Sequence, residues 1–162
     1  MTRSAVGKCL CGDVRFEAQD VPETFGVCHC EMCRRWTGSA LLEVSIPEQS
    51  VVWHGTEHIA TRQTSEWAER GWCRNCGTGL FYRVTMAGEW SGSVDIPLGI
   101  FDDPSGFVMS HEIYIDFKPD SFAYGGEGRK QLTRQQCVEK FSLLGNDPAD
   151  ASRGRIDQGE TT

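Results

Sequence analysis

Eight cysteines constrain this chain more than any other feature: Cys9, Cys11, Cys28, Cys30, Cys33, Cys73, Cys76 and Cys137. Seven of them fall into three tight groups, Cys-x-Cys-Gly at 9–12, Cys-His-Cys-x-x-Cys at 28–33 and Cys-x-x-Cys-Gly at 73–77. Thiolates one or two residues apart can close on one ion at a Zn–S distance of about 2.3 Å, and a following glycine relieves the tight turn. The first eight residues carry no apolar run of the kind a secretory signal needs. A reducing cytosol keeps such cysteines as thiols, so metal binding is the first reading and a cytoplasmic location is expected.

Structural zinc takes four ligands, commonly as two pairs from separate segments. Cys9, Cys11, Cys73 and Cys76 are therefore predicted to form a closed tetrathiolate site. The middle group offers three thiolates, Cys28, Cys30 and Cys33, and three protein ligands with an open fourth position are the pattern of a reactive zinc. Two other readings stay open. One of His29, His54, His58 or His111 closes the middle site, or the middle group pairs with another group and leaves two thiols free. The spacings of the common ferredoxins are absent, so the expected cofactor is zinc, two ions per chain. Cys137 stands apart and reads as a small buried hydrophobe on a helix.

A length of 162 residues suits one domain, and the 39% hydrophobic content is enough for a core. Sixteen Lys and Arg against 23 Asp and Glu give a net charge of -7, which argues against a nucleic-acid partner. No apolar run is long enough to predict a membrane span. Short alternating runs predict half-buried strands: Val14 and Phe16; Leu42, Val44 and Ile46; Leu80, Tyr82 and Val84; Ile113, Ile115 and Phe117. No long helical stretches separate them, so the expected class is mainly β, with antiparallel sheets. Glu31 to Thr37 reads as a short helical turn. Thr133-x-x-Gln136 reads as a capping box opening a helix that Gly145 could end, with Val138, Phe141 and Leu144 on one face. The expected organisation is a zinc-binding domain over 1–124, a helical extension over 125–145 and a disordered tail over 146–162.

Together, Gly7-x-Cys9-x-Cys11-Gly12-x-Val14-x-Phe16, Cys28-His29-Cys30-x-x-Cys33-Arg34 with Thr37-Gly38-Ser39, and Cys73-x-x-Cys76-Gly77-Thr78 resemble the glutathione-dependent formaldehyde-activating enzyme family, also called the centromere protein V family. Leu98-Gly99-x-Phe101-Asp102-Asp103-Pro104 and His111-x-x-Tyr114 add to the resemblance, which covers about residues 5 to 124. It implies a β-tent fold with two zinc sites, the same cysteine pairing, and joining of glutathione to formaldehyde as S-hydroxymethylglutathione. Lys118-Pro119-Asp120-Ser121-Phe122 departs from the family pattern by lacking a tryptophan after the proline, which leaves the substrate open.

Zinc with three thiolates carries about one net negative charge, so it is a poor Lewis acid for water and better suited to a thiol that stays nucleophilic when bound. A fourth thiolate calls for nearby cations, for which Arg34 and Arg35 directly follow Cys33. Arg62, Arg70, Arg83 and Lys118 are further candidates to clamp the carboxylates of glutathione. Adding a thiolate to an aldehyde makes an alkoxide that needs a proton, and His111 is the candidate donor. Asp102 and Asp103 read as turn residues before Pro104. The leading expectation is a carbon–sulfur lyase or synthase acting on glutathione and a small aldehyde. The competing expectation is a non-catalytic zinc module that carries a thiol or binds a protein.

Overall fold

Alternation of apolar and polar residues decides which face of each strand is buried. In a computed structural model that describes residues 2–141, these strands build a mainly β domain. The strands are β1 (Thr2–Lys8), β2 (Arg15–Pro22), β3 (Thr24–Cys28), β4 (Leu41–Pro47), β5 (Val51–His54), β6 (Ile59–Gln63), β7 (Ala68–Cys73), β8 (Gly79–Val84), β9 (Ser93–Pro97), β10 (Val108–Ile113) and β11 (Lys130–Leu132). Two short helices, α1 (Glu31–Thr37) and α2 (Arg134–Lys140), complete the main elements.

Strands β1, β2 and β5 form a three-stranded sheet, and the other eight form a sheet of order β11-β10-β3-β4-β9-β8-β7-β6. The core lies between the sheets. Phe16 and Ala18 of β2 meet Val44 and Ile46 of β4, Leu80 and Phe81 of β8, and Val94 and Ile96 of β9. Phe16 packs edge-on against Phe101 at 5.1 Å between ring centroids, and Trp53 bridges it to Phe81. The pleat turns the alternate residues of the large sheet the other way, onto a second face that carries the functional cavity.

The pairing is antiparallel except around β10, which runs parallel to both β3 and β11. The long stretch of chain between β3 and β10 supplies the crossover that a parallel pair requires. The strand expected through Ile115 and Phe117 ends at Ile113. Tyr114 adopts φ 55°, and this left-handed residue turns the chain into a 3-10 turn over Ile115–Phe117. The expected capping box is present: the Thr133 hydroxyl accepts from the Gln136 amide, and the Gln136 side chain accepts from the Thr133 amide. That helix ends at Lys140, short of the expected Gly145; Leu144, Gly145 and the tail over 146–162 lie outside the described residues. Cys137 is fully buried on α2, packed with Cys28, Cys33, Leu41 and Tyr114. Among the described residues no helix is long and apolar enough to cross a membrane.

Candidate active site

Two matching turns build the first cysteine cluster. After β1, Gly12 at φ 83° donates its amide to the Cys9 carbonyl; after β7, Gly77 at φ 77° donates to the Cys73 carbonyl. Both glycines occupy backbone conformations that a side chain would strain. The Leu10 amide donates to the Thr78 hydroxyl at 3.1 Å and ties the two turns together. The sulfurs of Cys9, Cys11, Cys73 and Cys76 lie within 4.8 Å of one another, with Cys9–Cys11 at 3.4 Å and Cys11–Cys73 at 3.7 Å. A tetrahedron with Zn–S bonds of about 2.3 Å needs sulfurs about 3.8 Å apart, so these four can hold zinc with little adjustment. Burial pushes the Cys76 thiol up, but the hydroxyl and amide of Thr78 and the Cys11 group outweigh it and bring it down to about 5.

The second cluster forms where β3 hands over to α1. Cys28 ends the strand, Cys30 caps the helix by accepting from the Cys33 amide at 3.4 Å, and Cys33 is buried in the first turn. Their three sulfurs also lie within 4.8 Å of one another. The Cys28 and Cys33 thiols, then the Cys33 amide and the charge of Arg70, draw the Cys30 thiol down to about 3. Among the described residues no histidine, carboxylate or further cysteine joins the three at that distance.

The four histidines are occupied elsewhere. His29 turns away, its Nε2 2.8 Å from Glu112 Oε2, while His54 pairs with Glu17 at 3.2 Å. His58 contacts Asn75 at 3.2 Å beside the first cluster, and His111 Nδ1 meets the Ser110 hydroxyl at 2.8 Å. The donor set of the second cluster thus suits a metal with one position left for a ligand.

A cavity of about 710 Å³ opens on this cluster, lined by Cys28, Cys30 and Cys33 together with the outward face of the large sheet. Register places one row of residues across that face: Lys130 of β11 beside His111 of β10, His111 beside Gly26 of β3, Gly26 beside Glu43 of β4, and further along Asp95 of β9, Tyr82 of β8 and Arg70 of β7. Gly26 is required here, because a Cβ would stand 2.4 Å from His111 Nε2. Burial, then the charges of Lys140 and Lys130, push the His111 imidazole below its ordinary value and keep it neutral.

Arg70 is the buried cation of this cavity, which Lys130 and Lys140 also line. It is 4% exposed, donates from Nη2 to Cys33 Sγ at 3.4 Å and from Nη1 to Thr64 Oγ1, and stacks between Tyr82 and Trp36. The other cations named from the sequence lie outside the cavity lining. Arg34 donates to the His29 carbonyl at 3.0 Å and lines a separate depression with Arg35, Pro119 and Phe122. Arg35 pairs with Glu31, Arg83 with Glu48 and Glu69, and Lys118 donates to the carbonyls of Pro119 and Phe122. Arg62 is exposed on the edge strand β6, and Asp103 caps the Ser105 amide at 3.0 Å in the expected turn.

Sequence reasoning missed Glu43 and Asp95. Both alternate with core residues, Val44 and Ile46 on one strand and Val94 and Ile96 on the other. That alternation looks the same whether the polar face meets solvent or a cavity.

The model of the glutathione-dependent formaldehyde-activating enzyme family matches residues 4–116. The chain belongs to this family. A relative in Schizosaccharomyces pombe, described as an uncharacterized lyase, is 28% identical over 121 residues, covering 75% of this chain and 85% of the relative. A crystal structure of a Rhodobacter sphaeroides protein superposes with a TM-score of 0.50 at 17% identity, covering 79% of this chain and 99% of that one, and shows the shared fold. The family's enzyme name and the lyase relative agree with the class of chemistry that an open thiol-lined site allows.

Proposed function

We propose that this protein is a zinc-dependent carbon–sulfur lyase that joins glutathione to formaldehyde as S-hydroxymethylglutathione and releases it in reverse. The observation that carries the reading is a three-thiol cluster with no fourth protein ligand among the described residues, set in the wall of a cavity of about 710 Å³. Cavities of this size suit a ligand as large as a small peptide. Cys28, Cys30 and Cys33 would hold the catalytic zinc, and Cys9, Cys11, Cys73 and Cys76 the structural one. Bound there, zinc would supply a thiolate-stabilising position at which an incoming thiol stays nucleophilic towards a small aldehyde carbon.

The chain's own residues do the rest. Arg70 takes the charge-balancing role that sequence reasoning gave to Arg34, because its guanidinium already donates to Cys33 inside the cavity. Lys130 and Lys140 line the same cavity and suit the carboxylates of glutathione. His111 lines it too, within reach of a substrate held there. A cytoplasmic location is part of the proposal, since free thiols and a glutathione supply both fit it.

Native mass spectrometry tests the reading. The zinc-loaded protein should carry two zinc ions and retain one glutathione, and adding formaldehyde should shift the bound thiol by the mass of one hydroxymethyl adduct. Cys30→Ser should lose one zinc and the retained thiol together. Two zinc ions with no thiol bound at millimolar glutathione would instead favour a non-catalytic zinc module.

A further inference from the structure

Two carboxyls in the cavity have no part in the reading above. Glu43 and Asp95 sit on adjacent strands, where Glu43 pairs with Pro97 and Asp95 with Ser45, so they are diagonal neighbours across the β4–β9 ladder. Diagonal cross-strand positions are about 7–8 Å apart, within reach of long side chains. Core packing of Val44, Ile46, Val94 and Ile96 locks both strands, and the pleat holds both acids towards the cavity that Cys28, Cys30 and Cys33 line. Among the described residues no ion pair includes either acid; Asp95 accepts from the Ser45 hydroxyl.

A second observation marks the same cavity as built for a ligand. Arg70, 4% exposed, has its Nη groups committed to Cys33 and Thr64, yet its buried Nε has no hydrogen-bond partner. A spare buried donor, two acids outside any ion pair among the described residues and an open thiol cluster meet in one space.

We propose that Glu43 and Asp95 are the proton carrier of the reaction: the pair takes the proton of the substrate thiol as the thiol enters and returns it to the aldehyde oxygen once the carbon–sulfur bond has formed. The inference rests on the function proposed above. The S–H bond breaks and its proton passes to a carboxylate oxygen. The sulfur electron pair forms the C–S bond, the carbonyl π pair moves onto oxygen, and the carboxyl gives that oxygen its proton. The pair ends as it began, with no oxidant or reductant consumed.

The surroundings favour this division. The pair faces Arg70 from β7, Tyr82 from β8, the three thiols, and, around the rest of the cavity, Glu89, His111, Lys130 and Lys140. Burial, then the charges of Asp95 and Cys30, push Glu43 well above the usual carboxylate range, against a partial offset from Arg70. Burial pushes Asp95 up to about 6, so at neutral pH Asp95 is largely ionised and able to accept a proton, while Glu43 is held further towards its neutral form. Both are half-buried by surface, but the cavity walls crowd them and strip their hydration. His111 is held neutral by burial and two lysines, and so is the poorer acceptor for the thiol proton.

The test counts protons. Calorimetry of glutathione binding to the zinc-loaded protein at pH 7, in buffers of different ionisation enthalpy, gives the number released. The wild type should release close to none, because the negative charge of the bound thiolate raises the neighbouring carboxyl pair further and the thiol proton stays in the protein. Asp95→Asn, and the double variant with Glu43→Gln, should release about one per thiol bound with the zinc content still two. Turnover with formaldehyde should fall about 10²- to 10⁴-fold in Asp95→Asn and far less in His111→Asn. If Asp95→Asn releases no proton and His111→Asn releases one, His111 is the carrier and the proposal is overturned. If the wild type binds and turns over glutathione but both variants match it in proton count and rate, the relay falls while the function stands. Failure of the wild type to bind glutathione removes both.

Discussion

At the residue scale, His29 shows how a side chain among metal ligands can serve the fold. It is fully buried, and Nε2 pairs with Glu112, which also accepts from Arg129 and from Gln131 at 3.0 Å. Phe122 and Tyr124 pack on the imidazole, so the segment before β11 is strapped to the second cluster. Burial raises the Glu112 carboxyl, but its donors Arg129, Gln131 and His29 outweigh this and hold it at about 2. A depressed carboxyl contributes stability that is complete above its ordinary value of about 4.5 and is lost as pH falls towards the folded value. Glu112→Gln should cost about 3–5 kcal/mol at neutral pH, because it leaves Arg129 without its carboxylate. Urea unfolding from pH 6 to pH 2 should show the gap between wild type and variant closing below pH 4.5. A constant gap would remove this pair from the acid sensitivity, whatever acid also does to the metal thiolates. His29 reads in the sequence only as a histidine beside ligands, since its partner lies 83 positions away.

At the scale of elements, most strands were legible because each buries one face against the opposite sheet. The exceptions have local causes. Ile115 and Phe117 continue the period-2 pattern of β10, but the left-handed Tyr114 breaks the strand before them. β11 is three residues long, too short to show a period, and exists because β10 offers it an edge. The close pairing of β3 with β10 depends on Gly26, over which the His111 ring lies. Gly26→Ala should displace that ring and cost about 1–3 kcal/mol, as overpacking does. Thermal denaturation reads the cost, and a shift of the His111 imidazole NMR signals reads the displacement. An unchanged His111 signal would show that the backbone gives way instead.

At the scale of the whole molecule, the first cysteine cluster joins the sheets. Cys9 and Cys11 follow β1 of the small sheet, and Cys73 and Cys76 close β7 of the large one. Metal bound there would staple the two layers that enclose the core, and its binding free energy would become folding free energy. Cys76→Ser should therefore unfold or aggregate the protein. Cys30→Ser should leave the unfolding midpoint nearly intact, because Cys28, Cys33, Leu41, Tyr114 and Cys137 still pack around the second cluster. Differential scanning fluorimetry with zinc content measured in parallel decides it. A large loss in Cys30→Ser and a small one in Cys76→Ser would reverse the two roles.

By itself the sequence determined the mainly β class, the grouping of seven cysteines into a four and a three, and the family, because chelating turns and strand faces are local patterns of a few residues. Tertiary structure decided what lines the cavity. Arg70 was one basic residue among several, and Glu43 and Asp95 were polar residues in alternating strands. They share one cavity wall only because β4, β9, β8 and β7 lie side by side in a particular register. Register is set by packing across the core between the two sheets, and no short stretch of sequence carries that information.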